Sequence, residues 1–115
     1  MKVVPELDAI ERRRDRRFEC EGNAEVVVFE RPFLFRGKMR NLSQTGCFIE
    51  TPVKLKLQPL AEVELRLVAR GQQLVSRARV MGFQRKKGVG LRFVDSDTRK
   101  EEPFSILMEQ LNTAA

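Results

Sequence analysis

Apolar side chains return at every second position along most of this chain, and a period of two predicts strands with one buried face. From Asn23 to Phe29 the β-branched valines and a closing phenylalanine predict a first strand. Glu30-Arg31-Pro32 reads as a turn. Phe33 to Leu42 follows as a second strand, with Phe35, Gly37 and Met39 on one face and Arg36, Lys38 and Arg40 on the solvent face. Asn41 to Gly46 is turn-prone, and Cys47 to Thr51 resumes as a short strand. Pro52 to Leu60 has two prolines and no period, so it reads as a crossing loop. Glu62 to Val68 alternates strictly, Arg70 to Gln73 reads as a hairpin turn, and Leu74 to Phe83 returns. Gln84 to Lys87 is a charged turn, and Gly88 to Val94 completes the set.

The period changes once. Phe104, Leu107, Met108 and Leu111 fall at i, i+3, i+4 and i+7, one face of a helix that packs on the sheet or faces a second subunit. Asp97 or Thr98 is placed to cap it, Glu101 completes a capping box after Thr98, and Pro103 favours a later first turn. The expected fold is mainly β: a small six-stranded antiparallel β-barrel with one C-terminal α-helix. Residues 1–10 form an arm. Residues 11–115 form a single domain, barrel to about 95 and helix about 98–112.

Composition narrows the chemistry. At 115 residues the chain supports one core. It has no histidine, which removes histidine-based nucleophile activation, a neutral-pH histidine base and most zinc sites. No P-loop motif and no carboxylate pair in a plausible cleft is present; Asp95 and Asp97 stand where a helix start favours negative charge. The reading is therefore a binding protein, with no catalytic residues, no metal and no cofactor. Cys20 and Cys47 lack metal or redox spacing and read as reduced packing residues. With no apolar run of spanning length, a cytoplasmic location without membrane insertion is expected. Eight phenylalanines, without tryptophan or tyrosine, are expected mostly in the core. Phe48 can stack on a flat ligand or pack inward, and the core is favoured.

The net charge of +6 points to an anionic partner. Five arginines crowd residues 12–17, interrupted only by Asp15. Each guanidinium offers a planar fork that grips phosphate oxygens in pairs. Alone, such a run is as consistent with a solvated tail as with a clamp.

Arg13-x-x-x-Arg17 together with Asn41-x-Ser43-x-x-Gly46, ahead of a Gly88-x-Gly90-Leu91-Arg92-Phe93 final strand, resembles the PilZ domain family. The likeness spans roughly residues 11 to 112. It implies binding of cyclic di-GMP, a bacterial second messenger, through Arg12, Arg13, Arg17, Asn41, Ser43 and Gly46. Physically, Arg13 and Arg17 suit phosphates and the guanine O6/N7 edge. Asn41 can accept from a guanine N–H more weakly than an aspartate, and Ser43 offers a hydroxyl. Gly46 lets the backbone turn and a ligand approach. Asn41, Ser43 and Gly46 are equally ordinary turn residues, and Arg14 and Arg16 read as solvated background.

In this family an arginine ahead of the first motif arginine goes with two intercalated ligand molecules, so Arg12 implies two per protomer. The expected mechanism is a ligand-gated adaptor: the anion joins the arm to the turn and orders Met1 to Phe18 for a separate downstream protein. Two alternatives stand beside it. One is an interaction module on the same fold that does not bind the ligand. The other is a small RNA- or single-strand-DNA-binding barrel, disfavoured by the lack of clustered aromatics next to the cations.

Overall fold

The computed structural model describes residues 16–29, 33–52, 57–84, 87–94 and 101–114. Six strands close into an antiparallel barrel in the order β1-β2-β3-β6-β5-β4. They are β1 (Phe18–Val28), β2 (Phe33–Leu42), β3 (Gly46–Glu50), β4 (Glu62–Ala69), β5 (Gln72–Gln84) and β6 (Gly88–Phe93), followed by helix α1 (Glu102–Ala114). Closure pairs β1 with β4 and leaves no sheet edge unpaired, the main hazard of a small sheet.

The period of two explains the interior. Val26 on β1, Met39 on β2, Ile49 on β3, Val63 and Leu65 on β4, Ala78 and Val80 on β5 and Val89 on β6 are fully buried. Burying each large apolar side chain is worth about 1.5–3 kcal/mol. Helix α1 buries Phe104, Leu107 and Leu111 against β5, with the Phe104 ring edge-on to Phe93 at 5.8 Å and 89°.

Several boundaries differ from the sequence reading. β1 begins at Phe18, not Asn23, because a bulge between Glu19 and Gly22 lets the strand run past the point where the alternation breaks. The β4–β5 turn is tighter than expected: Ala69 pairs with Gln72, leaving Arg70 (φ 49°) and Gly71 (φ 80°) as a two-residue turn with both residues left-handed. Helix α1 starts at Glu102, with Pro103 in its first turn; the proposed caps Asp97 and Thr98 lie outside the described residues, as do residues 53–56 of the crossing loop, the Arg31-Pro32 turn and Arg85-Lys86.

The phenylalanines are less uniformly internal than expected. Phe18, Phe35 and Phe104 are buried, whereas Phe29 and Phe33 are exposed and Phe48 and Phe93 are half-buried. Arg77 covers the Phe29 ring at 5.4 Å.

Candidate functional site

The two halves of the sequence motif meet at one end of the β1–β2 ladder. Phe18 pairs with Leu42 and Glu19 with Asn41, so Arg17, directly before β1, arrives beside the turn that joins β2 to β3. Arg17 is exposed. Its guanidinium field reaches Cys47, the second residue of β3, where it partly opposes the effect of burial on the thiol. Arg16 is exposed, as expected, and lies over the Phe18 ring at 5.0 Å. Arg12 and Arg13 lie outside the described residues.

The turn is built by its own polar groups. Ser43 is buried, and its Oγ accepts from the Thr45 N–H (3.2 Å) and the Gly46 N–H (3.1 Å). The Ser43 N–H donates to the Gly46 carbonyl at 2.9 Å. This is the local side-chain-to-backbone bonding that makes serine a turn residue. Gly46 has a structural reason beside the one expected: a Cβ there would collide with the Leu91 carbonyl oxygen of β6, so the glycine permits close strand contact.

Asn41 owes its position to a bulge. The β2–β3 register shifts between Met39 and Asn41, so Met39 and Leu42 both point inward and Asn41 pairs with Phe48 on the outer face. The Asn41 side chain is half-buried, yet its Oδ1 is buried with no hydrogen-bond partner among the described residues. Leaving a buried acceptor unpaired costs about 1–3 kcal/mol, so this atom marks a place where a donor is missing. Neighbouring Arg40 is already engaged: Nε and Nη2 both donate to Glu50 Oε1, at 2.9 and 2.6 Å.

Beyond Asn41 the outer face is bare among the described residues. Phe48 pairs with Gly90 and Gly90 with Gly82, across β3, β6 and β5. A Cβ on Gly82 would meet nothing within 4 Å, and one on Gly90 only the Gly82 carbonyl at 4.0 Å. One row over, Gly46 pairs with Arg92 and Arg92 with Arg79. Arg79 is drawn to Glu62 at 3.3 Å; Arg92 makes no ion pair among the described residues. The result is a flat floor with an aromatic edge, and Arg17, just before the Phe18–Leu42 pair, and Arg92, opposite Gly46, both stand toward the same end of it. Flat rings and anions both fit such chemistry.

The family model of the PilZ domain matches residues 11–107. The chain belongs to the PilZ domain family. No curated protein sequence matches it. Among solved structures, this PilZ domain is similar to the PilZ domain of CeSA from a cellulose-synthesizing bacterium, at 20% identity and TM-score 0.64 over 87% of this chain and 99% of that one. It is similar to the inhibitor of motility MotI/DgrA of Bacillus subtilis at 18% identity and TM-score 0.61, over 86% of this chain and 51% of that one. It is also similar to the PilZ domain of YcgR from Escherichia coli, a structure with c-di-GMP, at 16% identity and TM-score 0.61 over 90% and 97% of the two chains. At these identities the likeness establishes the shared barrel.

In this PilZ domain, then, Arg17, Asn41, Ser43 and Gly46 converge at one corner. Phe48, weighed between stacking and the core with the core favoured, is half-buried opposite Asn41; the Gly82–Gly90 floor and Arg92 escaped the site reading. Only strand register aligns them with Asn41, and register is not visible in residue order. Both cysteines are free and buried. Burial pushes the Cys47 thiol up to about 12 and raises Cys20 as well, the latter opposed in part by Arg70.

Proposed function

We propose that this PilZ domain is a cyclic di-GMP receptor that relays ligand binding to a separate protein partner in the bacterial cytoplasm, without catalysing a reaction. The observation that carries the reading is the Phe18–Leu42 pairing, which delivers Arg17 to the turn holding Asn41 and its unpaired Oδ1. In this reading Arg17 and Arg13 grip phosphate and guanine oxygens, and Asn41 Oδ1 accepts from a guanine N–H. The bare floor beside Phe48 accommodates a base. Ser43 and Gly46 act by holding the turn in shape. Arg12 supplies a third guanidinium for a second, intercalated ligand. Capture of the anion fixes the arm against the barrel, and the partner reads that change.

Titration calorimetry with cyclic di-GMP tests this. Arg17→Ala should weaken binding by about ten- to a hundredfold, the equivalent of a charged hydrogen bond, with the melting profile unchanged. Full affinity in that variant overturns the reading. Two ligands per chain are expected, falling to one in Arg12→Leu. One ligand in both removes the intercalated pair but not the receptor.

A further inference from the structure

The barrel carries a second feature on its other side. Outer-face residues of β2, β1, β4 and β5 enclose a depression of about 670 Å³. Successive partners across these strands form two rows there. Arg36, Glu25, Arg66 and Val75 make one, and Lys38, Asn23, Val68 and Gln73 the other. None of them belongs to the ligand corner. Val68 and Val75 are 46% and 54% exposed on an otherwise polar face.

The cations here are underused. Among the described residues Arg36 gives its Nε–H to Glu25 (2.9 Å) and Arg66 its Nε–H to Glu64 (2.8 Å), and both side chains stay largely exposed. Lys38 has no ion pair among the described residues. The surface offers cationic donors around two exposed valines.

From these observations we propose that this depression is a docking groove for a partner protein, taking a single acidic, amphipathic helical segment. Its apolar side chains rest on Val68 and Val75, and its carboxylates meet Arg36, Lys38 and Arg66. Size decides for a segment over a globular face. Four strands at about 4.8 Å spacing and about three residues of about 3.3 Å on each cover on the order of 200 Å², whereas a standard interface takes about 800 Å² per partner. Closure of the barrel rules out strand addition within this sheet, and a lining without aromatic rings disfavours a proline-rich segment. Two exposed valines among cations suit the apolar stripe and charged flanks of a helix. Nucleic acid fits worse, because these rows hold no aromatic ring for a base. The groove stands independently of the ligand reading, though it gives the adaptor a place to hold its partner.

The test is a display library of helical peptides of about 14 residues, four turns, selected on the full chain. Peptides with net negative charge and apolar residues at i, i+3 or i+4 should be enriched. They should bind Lys38→Gln/Arg66→Gln about tenfold more weakly, and Val75→Asp likewise. Both variants should keep the wild-type melting profile and wild-type cyclic di-GMP titration, or its absence, so that loss of one site is separable from loss of the other. Enrichment of neutral or basic peptides, no enrichment, binding to either variant as tight as to the wild type, or displacement of the peptides by a single-stranded RNA at equal concentration overturns the proposal.

Discussion

The Asn41–Gly46 turn and the arginine segment ending at Arg17 are halves of one motif, yet the barrel treats them in opposite ways. In the turn, Ser43 and Gly46 are buried, and the serine hydroxyl is committed to its own backbone. Arg17 stands exposed at the head of β1. Asn41 lies between these extremes, half-buried with an unpaired Oδ1. A motif can therefore combine residues that build a site with residues that touch what enters it. The two kinds should separate under mutation: builders lose stability first, and contacts lose affinity alone.

Gly46→Val gives the largest expected effect. Its Cβ has no space against the Leu91 carbonyl, and β3 cannot withdraw without giving up its pairing with β6. A loss of about 3 kcal/mol or more is expected in chemical denaturation. If this variant keeps wild-type stability and loses only ligand, Gly46 belongs with the contacts and the division fails. Ser43→Ala comes next. The Thr45 and Gly46 N–H groups lose a shared acceptor, at a cost of about 1–2 kcal/mol. Its ligand affinity should fall no further than the lost stability accounts for, as a titration well below the melting transition will show.

Much of the architecture was legible in residue order because alternation is a local signal. The strict pattern of Val63, Leu65 and Leu67 became a buried face of β4, and the helical spacing of Phe104, Leu107 and Leu111 became the packed face of α1. What escaped was set by register. The β2 bulge that turns Asn41 outward leaves only a small irregularity between Met39 and Leu42, and nothing local announces it. The left-handed Leu60 (φ 66°) is similar: its N–H reaches the Val80 carbonyl at 2.7 Å, a tertiary demand without a residue-type signature. At the site, Arg17, Asn41, Ser43 and Gly46 stood out through their spacing. Their division of labour did not, because Asn, Ser and Gly are chosen for turns and for ligands alike. Phe48 and the Gly82–Gly90 floor join the site only once β3, β6 and β5 are aligned.

Asn41 sharpens the comparison because its two roles predict opposite signs. Removing an unpaired buried acceptor relieves a cost, so Asn41→Leu should leave the free protein as stable as before or slightly more so. The same change removes the acceptor assigned to a guanine N–H, and cyclic di-GMP affinity should drop about tenfold. A stability loss like that of Ser43→Ala would move Asn41 among the builders, and unchanged affinity would remove it from the contacts.

At neutral pH Cys47 gives the smallest effect, because its contribution to pH dependence is silent there. It follows Gly46 into the barrel, and burial lifts its thiol from 9.0 to about 12 against the opposing field of Arg17. The folded protein therefore keeps this proton in a range where the unfolded chain releases it. Unfolding gains from each step in pH above 9.0, so stability falls as pH rises through that window and the contribution is intact below it. The slope approaches about 1.4 kcal/mol per pH unit for one thiol. Buried Cys20 shifts in the same direction, so the thiol's own share is the difference between wild type and Cys47→Ala in urea melts across this range. Wild type should lose stability more steeply. Parallel curves would mean that Cys47 is open to solvent, and that the turn above it is looser than the Ser43 and Gly46 contacts describe.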